Sequence, residues 1–217
     1  KSKGITVMNT PLASSASVAE RAVGYMCMLA RSLYKASSTM KAEKWEKKAF
    51  EGDEIGGKTL GLIGVGNIGK EVAKRASALG MTVLAYDPFV KEVAGIKMVS
   101  LDELLAQADY ISLHLPKTKE SANMISTAQF AKMKKGVRIV NCARGGIIDE
   151  NALYEALTSG QVAGAAIDVF DVEPPTDWKL LKLDNVIGSP HIGAAPKEAQ
   201  GRVGAEVAAK LIEFAKK

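Results

Sequence analysis

Three side chains suited to acid–base chemistry follow separate apolar runs in the second half of the chain: Arg144, Glu173 and His191. A neutral imidazole can take the proton of a hydroxyl group, and a neighbouring carboxylate stabilises the imidazolium that forms. A guanidinium presents a planar pair of donors to a carboxylate or a carbonyl oxygen. Taken singly, Arg144 also fits a surface ion pair, and Glu173 fits a loop shaped by the prolines after it. His114 ends another apolar run without an acid in its local motif, so we interpret it as a structural residue.

A glycine-rich turn in the first half of the chain predicts a dinucleotide-binding site. Gly64, Gly66 and Gly69 have the spacing G-x-G-x-x-G after an apolar run, and a helical pattern begins within them. Gly64 permits the tight turn, Gly66 lets the backbone approach a pyrophosphate, and Gly69 lets the helix pack close to the strand. The free N–H groups at the start of the helix face the anion.

An acidic residue at the end of the next apolar run indicates which dinucleotide binds. Asp87 follows Gly69 by 18 residues (87 − 69), close to the usual spacing of about 20 for a carboxylate that bonds the adenosine ribose hydroxyls. The same carboxylate would repel a 2′-phosphate, and the first cation after it is Lys91. We therefore predict NAD rather than NADP, although Asp87 also fits the plain role of a polar strand end.

Apolar runs alternate with amphipathic patterns along most of the chain. We predict strands at residues 4–8, 59–63, 81–86, 110–113, 137–140, 163–169 and 185–188, and helices at 18–33, 101–108, 126–132, 150–159 and 196–217, with a short helix and a loop in 41–50. Such alternation is typical of an α/β fold with a doubly wound parallel sheet of the Rossmann type, which binds ligands at the carboxyl ends of its strands. The three acid–base residues and the glycine turn would then share one edge. If a nicotinamide reaches that edge, the set fits oxidation of a 2-hydroxy acid, with His191 taking the hydroxyl proton.

Composition excludes several other classes of function. The 217 residues are 47% hydrophobic and 24% charged, as in an ordinary globular protein. The net charge of +5 comes from dispersed lysines without interleaved aromatics, so no nucleic-acid partner is expected. No apolar run approaches the roughly 20 residues that span a membrane, so no membrane segment is expected either. Cys27 and Cys142 have no metal-ligand spacing, so we expect reduced thiols, no metal and a cytoplasmic location. The first residue is Lys rather than Met, and we expect the natural start to lie upstream.

Four motifs in order resemble the D-isomer-specific 2-hydroxyacid dehydrogenases. They are G-V-G-N-I-G with Asp87, N-C-A-R-G-G-I-I-D-E, A-I-D-V-F-D-V-E-P-P and S-P-H-I-G-A, and the resemblance covers essentially the whole chain. It implies NAD as the cofactor, a small 2-hydroxy or 2-oxo acid as the substrate, and Arg144, Glu173 and His191 as the catalytic set. It also implies NAD contacts at the pyrophosphate, the ribose, the nicotinamide and the site wall, from Gly64, Gly66, Asn67, Ile68, Gly69, Asp87, Leu115, Cys142, Ala143, Arg144, Asp168, His191, Gly193 and Ala194.

The resemblance also implies a wider organisation. Residues 1–12 would hold the last strand of a substrate domain and a hinge, residues 13–193 the NAD-binding domain, and residues 194–217 a helix that returns to the substrate domain. A homodimer or homotetramer is expected, with the apolar helix 18–33 suited to the contact. Within the family the motifs are most similar to the branch that oxidises 3-phospho-D-glycerate, although Ala195-Pro196 replaces the usual Ser-Thr of that branch. A glyoxylate or hydroxypyruvate reductase, an NAD-sensing transcriptional corepressor and a fragment that only binds NAD are the alternatives.

Overall fold

Seven parallel strands form one sheet at the centre of the computed structural model, which describes residues 4–216. The strands are β1 (Thr59–Ile63), β2 (Thr82–Tyr86), β3 (Lys97–Met98), β4 (Tyr110–Leu113), β5 (Val137–Asn141), β6 (Val162–Ile167) and β7 (Val186–Gly188). Their spatial order is β3-β2-β1-β4-β5-β6-β7, and every neighbouring pair is parallel. The order reverses between β1 and β4, which opens a crevice at their carboxyl ends. The predicted Rossmann-type fold is confirmed.

Helices cover both faces of this sheet. They are α1 (Ser15–Arg31), α2 (Leu33–Lys41), α3 (Asn67–Ala78), α4 (Leu101–Gln107), α5 (Thr127–Phe130), α6 (Glu150–Thr158) and α7 (Lys197–Ala215). One apolar cluster joins the sheet to α1 and α3, and the other joins it to α4, α5 and α6. Because most strands are buried on both faces, they are continuous apolar runs rather than alternating ones.

The helix caps account for the accuracy of several predicted boundaries. Ser100 precedes α4, and its side chain accepts a hydrogen bond from the N–H of Glu103 at 3.2 Å. Asp149 caps α6 in the same way through the N–H groups of two residues in the first turn. Gly160 directly follows Ser159, the C-cap of α6, and terminates the helix with a φ of +75°, a conformation that glycine adopts without strain. Local hydrogen bonding therefore sets these ends, and local sequence predicts them.

Two predicted elements differ in the structure, and one strand was not predicted. Residues 4–8 form no strand and pair with none of the strands within residues 4–216, and Ile5 and Val7 are 63% and 65% exposed. A strand needs a hydrogen-bonded neighbour, and the described part of the chain supplies none here. The predicted helix 18–33 is two helices, because Ser32 adopts a left-handed φ of 47° between α1 and α2. The two-residue β3 was not predicted, since so short a strand leaves no periodic pattern.

Helix α1 is buried or half-buried on nearly all sides, as its apolar pattern predicts, and only Glu20, Gly24 and Arg31 within it are exposed. Ala19, Ala22, Met26 and Leu29 are buried against α3 and the sheet, whereas Gly24 is exposed. None of the helices within residues 4–216 is long and apolar enough to cross a membrane.

A buried histidine lies beneath the glycine turn. The backbone N–H of His114 donates to Ile63 O at 2.8 Å, and its ring Nε2 lies 2.8 Å from Ser112 Oγ. Its Nδ1 has no partner among the described residues. Burial lowers the pKa of His114 from 6.5 to about 3, so the ring is neutral at physiological pH. These contacts support the interpretation of His114 as a structural residue.

His114 should make the protein acid-sensitive. Between pH 6.5 and 3 the unfolded chain binds one more proton at this residue than the folded chain, so stability is lost as the pH falls through that window. From pH 7 to pH 5 the loss should be about 2 kcal/mol. We expect His114→Gln, which keeps a polar atom near Ser112, to remove that part of the loss in urea unfolding at the two pH values. His191→Gln is the matched control and should retain it; an identical pH dependence in all three proteins would contradict the assignment.

Candidate active site

The predicted site residues lie at the carboxyl edge of the sheet, in the loops after the strands and, for Asn67, Ile68 and Gly69, in the first turn of α3. The glycine turn follows β1, Asp87 follows β2, Leu115 follows β4, Cys142 to Arg144 follow β5, Asp168 and Glu173 follow β6, and His191, Gly193 and Ala194 follow β7. The topology thus places together residues that are far apart in sequence, as the parallel arrangement predicts.

The glycine turn depends on close backbone contacts. Gly64 has a φ of +101°, and a Cβ on it would lie 2.7 Å from the carbonyl group of His114. A Cβ on Gly69 would lie 2.2 Å from Gly64 O. Gly66 differs, because it caps α3 and a Cβ there would meet nothing within 4 Å. Two of the glycines therefore shape the turn, and the third borders open space at the start of α3, where the sequence predicts the pyrophosphate.

The carboxylate of Asp87 is anchored to the backbone around it. Its Oδ2 accepts from Val65 N–H at 2.9 Å, and its Oδ1 accepts from the N–H groups of Phe89 and Val90 at 2.9 and 3.1 Å. A carboxylate offers about four acceptor positions, so one position on Oδ2 remains for a ribose hydroxyl. The predicted ribose contact fits this geometry, with a single hydrogen bond rather than a pair.

The predicted imidazole–carboxylate pair is formed. His191 Nδ1 lies 2.7 Å from Glu173 Oε2, and Glu173 Oε1 accepts from Phe170 N–H at 3.0 Å. Partial burial raises the pKa of Glu173, but the hydrogen bonds from His191 and Phe170 outweigh it, and the net pKa is lowered. No hydrogen bond in the described part of the chain involves His191 Nε2, so this nitrogen can meet a substrate hydroxyl. Both side chains are partly exposed at the edge of the sheet.

The loop after β5 carries Arg144 to the same place. Asn141 shapes this loop, since its side chain accepts from Ala143 N–H at 3.0 Å and donates to Arg144 O at 3.1 Å. A Cβ on Gly145 would lie 1.8 Å from Phe170 O, so glycine is needed for the Arg144 loop to touch the loop that carries Glu173. The positive charge of Arg144 contributes to the lowered pKa of Glu173. The exposed guanidinium can therefore bind an anionic substrate beside the His191–Glu173 pair.

Asp168 has a role that the sequence alone does not predict. It is 1% exposed, and it accepts hydrogen bonds from Ile192 N–H at 3.0 Å, from Gly193 N–H at 2.8 Å and from the Ser189 hydroxyl. Its oxygens therefore hold the loop on both sides of His191. The predicted contact with a nicotinamide carboxamide remains a prediction beside this structural role.

The remaining predicted cofactor contacts are small or apolar residues after β4, β5 and β7. Leu115, Cys142 and Ala143 are buried, and Gly193 is buried beside the exposed Ala194. Burial, with the nearby charge of Asp168, raises the pKa of the Cys142 thiol to about 12. The thiol is therefore protonated at neutral pH and fits a lining role rather than a nucleophilic one.

The chain is similar in sequence to a family of known proteins. Residues 23–193 match the family model described as D-isomer specific 2-hydroxyacid dehydrogenase, NAD binding domain. The chain is 55% identical over 98% of its length to a hydroxypyruvate reductase of Thermotoga maritima, covering 71% of that protein, and 51% identical over 99% of its length to a D-3-phosphoglycerate dehydrogenase of Archaeoglobus fulgidus, covering 42% of it. The chain thus spans about two fifths of the phosphoglycerate dehydrogenases it matches.

Solved structures show the same fold. A glyoxylate reductase from Paecilomyes thermophila superposes with a TM-score of 0.94 at 39% identity, over 100% of this chain and 67% of the other. A D-lactate dehydrogenase from Aquifex aeolicus, complexed with NAD and lactic acid, superposes with a TM-score of 0.90 at 35% identity, over 99% of this chain and 71% of the other.

The two kinds of glycine in the turn should respond differently to substitution. Gly66→Ala should leave the free energy of unfolding within about 0.5 kcal/mol of wild type, because its Cβ meets open space and its φ of −66° suits alanine. The same Cβ should weaken NAD binding at least about tenfold, or about 1.4 kcal/mol. Gly69→Ala should cost about 1–3 kcal/mol of stability through overpacking. Urea unfolding and NAD titration check both; an unchanged NAD affinity in Gly66→Ala would remove Gly66 from the pyrophosphate site.

Proposed function

The chain belongs to the D-isomer specific 2-hydroxyacid dehydrogenase family, and we propose that it is the NAD-binding part of an enzyme that oxidises a D-2-hydroxy acid or reduces the 2-oxo acid. The contact of 2.7 Å between His191 Nδ1 and Glu173 Oε2 carries this proposal. It provides a proton acceptor and its partner at the carboxyl edge of the sheet. Both residues lie within residues 23–193, which match the family's NAD-binding domain.

The residues of the chain supply proton transfer and substrate binding. His191 Nε2 takes the proton of the substrate's 2-hydroxyl group in oxidation and returns it in reduction. Glu173 stays ionised, holds the ring through Nδ1 and stabilises the imidazolium. Arg144 binds the substrate carboxylate. The glycine turn, Asp87 and the residues after β5 would hold NAD, which would supply the hydride acceptor for C2 of the substrate.

We propose 3-phospho-D-glycerate as the substrate, oxidised to 3-phosphooxypyruvate in a step that would begin serine biosynthesis. The similarity to several D-3-phosphoglycerate dehydrogenases supports this choice. Hydroxypyruvate is a second candidate, because the relative with 55% identity is a hydroxypyruvate reductase and a glyoxylate reductase superposes closely. A panel of these acids, tested on the complete protein that contains this chain by NADH absorbance, separates the two.

The exposed apolar surface supports two further proposals about the complete protein. Ile5, Val7 and Leu12 are 62–65% exposed, and Leu211 and Phe214 of α7 are also exposed. We propose that residues 1–12 and 194–217 pack against a separate substrate domain. We also propose a homodimer or homotetramer that covers the exposed Leu33 and Met40 of α2 and Trp45 after it. We further propose a cytoplasmic location, since the two free thiols suit a reducing compartment.

Removing the proton acceptor should abolish turnover but not cofactor binding. In the complete protein, His191→Ala should lower kcat about 10²–10⁴-fold, the usual contribution of a general base. Glu173→Gln keeps the shape of the pair but loses the charge, and should lower kcat by a smaller factor. The dissociation constant of NAD should change little in both variants, because neither side chain contacts the glycine turn. Unchanged turnover in His191→Ala would exclude the proposed mechanism.

Asp87 should make the chain select NAD. Its carboxylate can accept from a ribose hydroxyl but would repel a 2′-phosphate, so NADP should bind at least about tenfold more weakly than NAD, or about 1.4 kcal/mol. Fluorescence titration of the chain with each reduced cofactor measures the ratio. Equal affinities would contradict the role given to Asp87.

A further inference from the structure

We propose that Arg21 and Tyr25 of α1 are positioning residues for His191, which they hold in place through Ser189 and Asp168. This inference rests on the proposed function, because His191 is the proton acceptor there. Neither residue contacts the imidazole or Glu173, so the proposal gives them no catalytic role. Apart from the bond between them, their side-chain hydrogen bonds and ion pair in the described part of the chain go to the loop that carries His191 and to the carboxylate of Asp168.

His191 has a backbone conformation that needs external support. Its φ is +52°, in the left-handed region that side-chain-bearing residues rarely adopt. Such a conformation costs about 1–3 kcal/mol and persists only where the surroundings hold it. The hydrogen bond from His191 N–H to Ser189 O, at 3.0 Å, is local and stays within the loop. The position of the imidazole therefore depends on what anchors the rest of the loop.

Asp168 is the first anchor of this loop. Its Oδ1 accepts from Ser189 Oγ and from Ile192 N–H, and its Oδ2 accepts from Gly193 N–H. These contacts lie on both sides of His191. A carboxyl group that is 1% exposed is costly to bury unless donors or an opposite charge lie beside it.

Arg21 supplies that charge from the other side of the loop. Its Nη1 lies 3.9 Å from Asp168 Oδ1 and 3.4 Å from Ser189 Oγ, and its Nη2 donates to Ile192 O at 3.3 Å. The guanidinium also lies over the Tyr25 ring, 5.7 Å from the centroid. The Arg21 side chain therefore contacts Ser189 and Ile192, which lie on either side of His191 and are 168 and 171 positions away in the sequence.

The hydrogen bonds in this network have only one consistent direction. Ser189 Oγ carries a single hydrogen, which it must donate to Asp168, because a carboxylate only accepts. Ser189 must then accept from Tyr25 Oη, and Tyr25 must accept from Arg21 Nη1 at 3.2 Å. The donors thus run from Arg21 through Tyr25 and Ser189 to Asp168. Removal of the tyrosine hydroxyl would take away one of the two donors to Ser189 Oγ without changing any charge, and Arg21 Nη1, 3.4 Å from that oxygen, would remain as the other.

Loss of either α1 residue should lower kcat more than it changes binding. In the complete protein we expect Arg21→Met and Tyr25→Phe to reduce kcat about 10–100-fold. The KM for the hydroxy acid should stay within about threefold, because Arg144 is untouched. Arg21→Lys keeps the charge without the planar fork and should recover part of the activity. Arg31→Met, at the exposed end of the same helix, is the matched control and should have wild-type kcat.

A spectroscopic test on the 217-residue chain separates this inference from the proposed function. The chain has only two histidines, so His191 can be assigned by comparison with His191→Gln. In the neutral ring, long-range ¹H–¹⁵N correlations should show the proton on Nδ1, where it bonds Glu173. In Arg21→Met and Tyr25→Phe the proton should shift toward Nε2, the tautomer that free imidazole side chains prefer, whereas Arg31→Met should retain the wild-type spectrum.

The outcomes are distinct. A wild-type tautomer in Tyr25→Phe, or wild-type kcat in an active enzyme, overturns the positioning role. If the complete protein turns over no 2-hydroxy acid, the proposed function fails. The tautomer of the His191 ring in the variants then decides the positioning role alone. Should Arg21→Met fail to fold, Tyr25→Phe decides the question, because it removes one oxygen atom. Thermal unfolding and NAD binding identify a variant that fails for general structural reasons.

Discussion

Close backbone approach at the carboxyl edge of the sheet is the constraint on which the rest of the site depends. Gly64 lets the first turn lie against His114, and Gly69 lets α3 start directly above Gly64. Gly145 performs the same function on the other half of the sheet, where the Arg144 loop touches Phe170 O. Any side chain at these positions would separate the loops, and with them the cofactor turn and the acid–base residues. The absence of a Cβ atom at these three glycines lets the loops lie this close together, and with them the functional groups that they carry.

Two carboxylates after β6 show how environment divides their roles. Asp168 is buried and its oxygens are occupied by the loop around His191, so it acts on structure. Glu173 is partly exposed, keeps a lowered pKa and meets the imidazole directly, so it is suited to proton chemistry. The residues are only five positions apart in sequence. Their separation into an anchor and a reacting partner follows from burial and hydrogen bonding, in line with the general rule for paired acids in enzymes.

Much of this fold could be predicted from sequence because its signals are local. Buried parallel strands are short apolar runs, Ser100 and Asp149 cap their helices within three residues, and the glycine turn lies within one strand–helix unit. The placement of Arg144, Glu173 and His191 at one edge could be predicted because they follow strands, and parallel topology gathers the strand ends. The Arg21 network could not, since its contacts span more than 160 residues. Its one local signal was an arginine within a mostly apolar helix, a pattern that equally describes a surface cation.

Asp87 shows why a cofactor-binding residue is difficult to alter independently of the fold. Three of its four acceptor positions are already occupied by the backbone N–H groups of Val65, Phe89 and Val90. The bond to Val65 ties the loop after β2 to the glycine turn, so the carboxylate supports that turn besides its proposed contact with the ribose. A neutral replacement that removed the repulsion of a 2′-phosphate would also leave backbone donors of the turn without a charged acceptor. Cofactor preference and turn stability are thus coupled through one side chain, and a change of preference needs a second substitution that restores the anchor at Val65.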